Sequence, residues 1–119
     1  MKYAMLVYSD QSAWDGLSDE EAARMRAESM PRWISLFEEM GKADPSVQGR
    51  ELVSASEAKV VRVVDGETIV TDGPFAETKE QLGGIFVTEL PDLDEAIRLA
   101  ALVPTAEHGT LEIRPLTVR

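Results

Sequence analysis

Apolar and polar positions along this chain change phase several times, and each phase predicts one element of a small mixed domain. Lys2 to Tyr8 (KYAMLVY) is apolar on both alternating sides, the pattern of a strand covered on both faces. Ser9 to Leu17 reads as a polar loop with Trp14 in its middle. Ser18-Asp19-Glu20-Glu21 has the serine-to-glutamate spacing of a capping box, so a helix is expected to start there and run toward Gly41. Met30, Trp33, Ile34, Phe37 and Met40 recur at three- and four-residue steps and predict one apolar stripe. Pro31 falls inside that stripe. It removes a helical hydrogen bond and disfavours the helical conformation of Met30, which predicts a kink or break between Ser29 and Arg32. Gly41 reads as a left-handed stop.

The second half is richer in strands. Gly49 to Val53 and Lys59 to Val64 are strand candidates. Asp65-Gly66, between AKVVRVV and ETIVT, predicts a two-residue hairpin turn. Gly84 to Leu90 (GIFVTEL) reads as another buried strand. Asp92 caps a second helix, with Glu95 answering it, and Leu93, Ala96, Ile97 and Ala100 form its apolar face up to Pro104. From Thr110 to Leu116, Leu111 and Ile113 alternate with Glu112 and Arg114, a strand with one wet or partner-facing side.

These elements make an α+β domain over residues 1–119: βαββαβ with an extra central β-hairpin, an antiparallel sheet with helices on one face. Two helices cover only one face of that sheet. The strands at Lys2 to Tyr8 and Gly84 to Leu90 are apolar on both. At about 25 cal/mol per Å², leaving the second face in water would forgo several kcal/mol. A homodimer packed sheet to sheet is therefore expected.

Composition narrows the function classes. The chain has 119 residues, one domain's length, with a formal net charge of −10. Such a surface repels phosphate backbones, so no nucleic-acid partner is expected. There is no cysteine, which removes thiol chemistry and iron–sulfur ligation and fits a reducing compartment. No apolar run near the start approaches the roughly 18 residues of a membrane span, and no cleavage pattern follows Lys2. A cytoplasmic protein is the expectation, without membrane attachment. One histidine without cysteine also argues against a metal site, and no cofactor motif is present.

The densest cluster of unusual residues is Asp72 to Gly84, DGPFAETKEQLGG, which mixes glycine, proline, an aromatic ring and opposed charges. Such a mixture builds a constrained loop. An aspartate before a turn normally accepts the backbone N–H two residues on, but here that residue is Pro74, which has none. Asp72 therefore reads either as a cap for Phe75 or as a carboxylate at the rim of a pocket. Phe75 reads as a core anchor or as the wall of a ligand cleft. Glu77, Lys79 and Glu80 form either a surface charge network or, with Lys79 or Glu80 in a cleft, a site of shifted pKa. Gly83-Gly84 marks a bulge or a close backbone approach. His108, in a loop before Gly109, is either solvated or a general acid or base at the dimer seam with Asp72 as its partner. Tyr8 at a strand end, Trp14 in its loop and Arg114 on the last strand are further ligand-binding candidates.

The stretch TDGPFAETKEQLGG resembles the signature of the YCII-related proteins of the DGPF (DGPFAETKE) type. KYAMLVYSDQSAW, ELPDLDEAIRLAALVP and HGTLEIRPL are similar to that family's opening strand, following helix and closing strand. The resemblance implies a ferredoxin-like fold of the dimeric α/β-barrel type in a small bacterial cytoplasmic protein. It also implies an association with extracytoplasmic-function sigma factors for some relatives. In the broader group a helix histidine paired with an aspartate has been proposed as a catalytic set; by spacing, that histidine falls near Met30 here, and methionine moves no protons. Two readings of function follow. One is a small-molecule site, binding or catalytic, with Asp72 as acid, base or acceptor and Phe75 and Trp14 as walls. The other is a regulatory protein-interaction module, its acidic surface meeting a basic partner such as a sigma factor.

Overall fold

The computed structural model describes residues 1–118. In chain order it runs β1 (Lys2–Ser9), α1 (Ser12–Asp15), α2 (Asp19–Ala43), β2 (Gln48–Glu51), β3 (Lys59–Val64), β4 (Glu67–Asp72), β5 (Gln81–Glu89), α3 (Leu93–Ala100) and β6 (Thr110–Pro115). Short 3-10 turns occupy Ala55–Glu57 and Pro104–Glu107. The architecture is α+β with antiparallel sheets. Four strands pair in the order β2-β5-β1-β6, while β3 and β4 form a separate two-stranded sheet.

Alternation along β1 sets the layers. Tyr3, Met5 and Val7 are buried, and so are their cross-strand neighbours Phe86 and Thr88 on β5. Leu111 and Ile113 of β6 point the same way and pack against this core. Leu36 and Met40 of α2 and Ala96, Leu99 and Ala100 of α3 close it from above. Burying a side chain such as Leu36 or Leu99 contributes about 2 kcal/mol each. The opposite face carries Ala4, Leu6, Ile85 and Val87, all partly exposed, with nothing packed over them in the hydrophobic core.

Local chemistry explains the helix starts. The Ser18 hydroxyl accepts the Glu21 backbone N–H at 3.2 Å and donates to the Glu21 carboxylate at 3.0 Å. Asp92 accepts the Glu95 N–H at 2.9 Å. The Glu95 carboxylate does not return the bond; it takes Arg98 at 2.6 Å instead.

Several expectations are corrected. The Ser9–Leu17 loop contains a helical turn at Ser12–Asp15. Helix α2 runs unbroken through Pro31 and past Gly41 to Ala43. A proline removes one bond from an otherwise continuous ladder; here the capped first turn and the buried last turns hold the helix on both sides of it. The apolar stripe also splits. Met40 is buried and Trp33 partly so, but Met30, Ile34 and Phe37 stay exposed, and Leu36 takes the core position. In α3, Leu99 is buried while Leu93 and Ile97 face outward.

The β3–β4 hairpin stands apart as an arm. Asp65 and Gly66 both adopt positive φ, 50° and 81°, which matches the twist of a two-residue hairpin turn. At its base the Gly73 N–H bonds the Ala58 carbonyl at 2.8 Å. Val61, Val63 and Val70 are 61%, 68% and 58% exposed. The radius of gyration, 16.4 Å, exceeds the ~13.5 Å of a compact chain of this length.

Candidate functional site

The DGPF stretch folds in two parts with different surroundings. Asp72 ends β4 and its carboxylate pairs with Lys59 across the hairpin instead of capping Phe75. The Gly73–Pro74 bond is cis. Phe75 is 77% exposed beneath the Arg62 guanidinium, 5.4 Å from its ring centre, so it is not a core anchor, and it lines neither of the two clefts described below. The second part, Thr78 to Gln81, turns back against the main sheet. Gln81 ties this turn by donating to the Ala76 carbonyl at 2.8 Å and the Thr78 carbonyl at 2.9 Å.

Beside that turn lies a cleft of roughly 360 Å³, open to solvent. Its walls are the β1–α1 connection (Asp10, Gln11, Ser12, Asp15), the Ser54–Ser56 turn, and Thr78, Lys79 and Gln81. Each wall is held by its own bonds. The Asp10 carboxylate accepts the Ser12 hydroxyl at 2.6 Å and the Ser12 N–H at 3.0 Å. Those two bonds hold its carboxyl below the usual range, and the Lys79 charge acts in the same direction. Gln11 accepts the Ala55 N–H at 2.9 Å, which joins the first wall to the second. Ser54 accepts from the Ser56 hydroxyl at 3.0 Å.

The cleft is lined by charged and neutral polar groups. Lys79 offers an ammonium, Asp10 and Asp15 offer carboxylates, and the serines, Thr78 and Gln11 offer neutral polar groups. No imidazole or thiol lines it; Ser54 and Ser56 bond each other, and the Ser12 hydroxyl is held by the Asp10 carboxylate as part of its turn. A second groove, lined by Ala43, Pro91, Asp92, Asp94, Glu95 and Arg98, is weaker as a site because its cation is already shared by Glu95 and Glu39. Among the described residues, no group of three His, Asp or Glu side chains is arranged to hold a metal.

The remaining candidates are scattered. His108 is exposed at the end of the 3-10 turn, and its side chain makes no hydrogen bond to Asp72. Trp14 lies on α1 with the Arg26 guanidinium 5.5 Å from its ring, and Arg26 in turn pairs with Glu51 at 2.8 Å. Glu80 accepts the Thr110 hydroxyl at 2.7 Å and fastens the turn to β6. Tyr8 and Arg114 do come together, on the uncovered sheet face. The Tyr8 hydroxyl donates to Glu112 at 3.3 Å, and Arg114 reaches the same carboxylate at 2.9 Å. Burial first and the Glu112 charge second raise the Tyr8 phenol pKa, while the Arg114 hydrogen bond lowers that of Glu112.

Of the eight candidate side chains, only Lys79 lines the cleft. Asp10, Gln11, Asp15, Ser54, Ser56, Thr78 and Gln81 are additional. The Asp-Gln-Ser order after a strand signals a side-chain turn, and Ser-Ala-Ser signals another. Nothing in their spacing says that the two turns meet.

Comparison with known proteins agrees with the sequence resemblance. An uncharacterized protein of Rhizobium meliloti (strain 1021) is 39% identical over 123 residues, covering 99% of this chain and 94% of that protein. The family model of the YCII-related domain matches residues 1–118, and the chain belongs to that family.

Proposed function

We propose that this protein binds a small polar molecule in the Asp10–Ser54–Lys79 cleft and works as a homodimer of the DGPF type. One observation carries the reading. The cleft joins Lys79 and Gln81 of the signature stretch to the β1–α1 turn and the Ser54–Ser56 turn. An ammonium facing two carboxylates suits a ligand that carries both charges, such as an amino acid or an amino sugar acid. The lowered carboxyl of Asp10 argues for a fixed acceptor and against a general acid. The strand order β2-β5-β1-β6 supports a ferredoxin-like assignment, and the half-covered sheet supports pairing of the dimeric α/β-barrel kind.

The test is a thermal-shift and calorimetric screen with the twenty amino acids and a set of amino sugar acids. Binding of at least one, lost in Lys79→Ala and in Asp10→Asn, is the expected result. Binding that survives both substitutions, or no binding by any compound, overturns the reading.

A second reading is favoured by the arm. Val61, Val63 and Val70 form one exposed apolar strip, and Met30, Ile34 and Phe37 form another on α2. These strips support a protein-interaction module. A sigma factor that co-purifies with this chain, and is lost when Val61 and Val70 are both changed to serine, is the outcome expected of it.

A further inference from the structure

Two carboxylates and one ammonium line the cleft, at Asp10, Asp15 and Lys79. None of the three forms an ion pair among the described residues. Asp10 commits one oxygen to its own turn: Oδ1 accepts both the Ser12 N–H and the Ser12 hydroxyl. Its Oδ2 is left without a bond among the described residues, and so is the whole Asp15 side chain. Asp10 precedes α1 and Asp15 ends it, so the two carboxylates stand at opposite ends of one helical turn. The Lys79 charge is felt at Asp10. The cleft therefore holds a coupled cation and carboxylate and, at the far end of the turn, a second carboxylate without a counter-charge.

We propose that this cleft takes a basic amino acid of the lysine or ornithine class, its α-carboxylate on Lys79, its α-ammonium on Asp10 Oδ2 and its side-chain ammonium on Asp15. The inference rests on the binding reading given above and adds the class of ligand.

An α-amino acid carries a carboxylate and an ammonium on one carbon, and Lys79 with Asp10 presents the reverse pair. Gln11 adds a donor for the carboxylate, because its side-chain oxygen is taken by the Ala55 N–H and its amide nitrogen is left for the cleft. A neutral amino acid satisfies this head and leaves Asp15 facing an apolar side chain. An acidic one sets its second carboxylate against Asp15, a like-charge contact. A second ammonium supplies the missing counter-charge through a charge-assisted hydrogen bond. A diamine without a carboxylate leaves Lys79 unanswered. The volume, roughly 360 Å³, lies at the small end of ligand sites and suits one amino acid. The formal net charge of −10 favours the approach of a cation over that of an anion.

Calorimetric titration at low salt tests the assignment with five probes. L-Lysine and L-ornithine carry the proposed groups. L-Norleucine keeps the head and the carbon chain but lacks the second ammonium, L-glutamate reverses the distal charge, and cadaverine lacks the carboxylate. Each is titrated into the wild type, Asp15→Asn and Asp15→Ala, after thermal melts establish that the variants are folded; Asp15 makes no internal side-chain bond for them to break. At least one basic amino acid is expected to bind about tenfold more tightly than L-norleucine, L-glutamate or cadaverine. In both Asp15 variants the gap to L-norleucine is expected to shrink to about threefold or less, through weaker binding of the basic ligand. L-Norleucine, L-glutamate or an amino sugar acid binding as tightly as L-lysine and L-ornithine overturns the class and leaves the zwitterion reading standing. A preference for the basic ligands that survives in both variants overturns the place given to Asp15. Cadaverine binding as tightly as L-lysine overturns the place given to Lys79. No binding by any amino acid or amino sugar acid overturns both the class and the reading it rests on.

Discussion

Asp44, just past the last turn of α2, accepts the backbone N–H of Glu89 at 2.8 Å and so fastens the long helix to the end of β5. The same carboxylate takes the Thr88 hydroxyl at 3.1 Å and the Ser46 N–H and hydroxyl at 2.9 and 2.6 Å. Among the described residues, Asp44 and Thr88 are the two buried polar side chains. Asp44→Ala strands the Glu89 N–H and the Thr88 hydroxyl without partners. A loss of about 3 kcal/mol is expected in urea melts, most of it from those unpaired groups. A change below 1 kcal/mol would show that the bonds are dispensable.

These bonds, the Glu89 N–H first, hold the Asp44 carboxyl down to about 2, against an unfolded value near 3.9. A depressed folded pKa contributes stability above the unfolded value and loses it as pH falls toward the folded one. The contribution is about 2 kcal/mol at neutral pH and declines from pH ~4 to pH ~2. Denaturant melts of wild type and Asp44→Asn across that range should converge as the acid limit is approached. A constant gap between them would contradict the assignment.

Gly109 follows the only histidine and donates its N–H to Thr105 at 2.7 Å. A Cβ at this position would press into the Tyr8 carbonyl oxygen, far inside van der Waals contact. Backbone cannot yield as a side chain can. Gly109→Ala is expected to lower stability by about 2 kcal/mol or more, whereas Gly41→Ala, with open space around it, should hold or raise it. Thermal melts of the pair decide the matter.

The arm supplies no residue of the hydrophobic core. An isolated two-stranded hairpin is marginal in water, so the body cannot depend on it. Replacing residues 59–72 with a short glycine–serine link between Ala58 and Gly73 should leave far-UV circular dichroism of the body and its melting temperature nearly intact. Loss of cooperative unfolding would show that the arm is structural.

Much of this fold is legible in local chemistry. Ser18 and Asp92 announce their helices because a cap needs only a side chain and an N–H three residues on. Asp65-Gly66 announces the hairpin because few residue pairs accept positive φ twice. Features that need a distant partner are not legible. The fate of Asp72 depends on Lys59, thirteen positions back across the hairpin. Leu36 displaces Phe37 from the core because the phase of the helix is set by the sheet beneath it. Pro31 survives because capping and packing at the two ends outweigh one missing bond. The cleft itself depends on Gln11 meeting Ala55, 44 positions away, and no periodicity encodes that.

No single element owns the cleft, whose three walls come from stretches near residues 10, 55 and 80. They stand together only while β1 and β5 are zipped side by side. A ligand bound there as proposed would act as a splint across the seam, because anything that prefers the folded form shifts the balance toward it by mass action. Under that proposal, occupancy of the cleft and endurance of the fold would be one quantity.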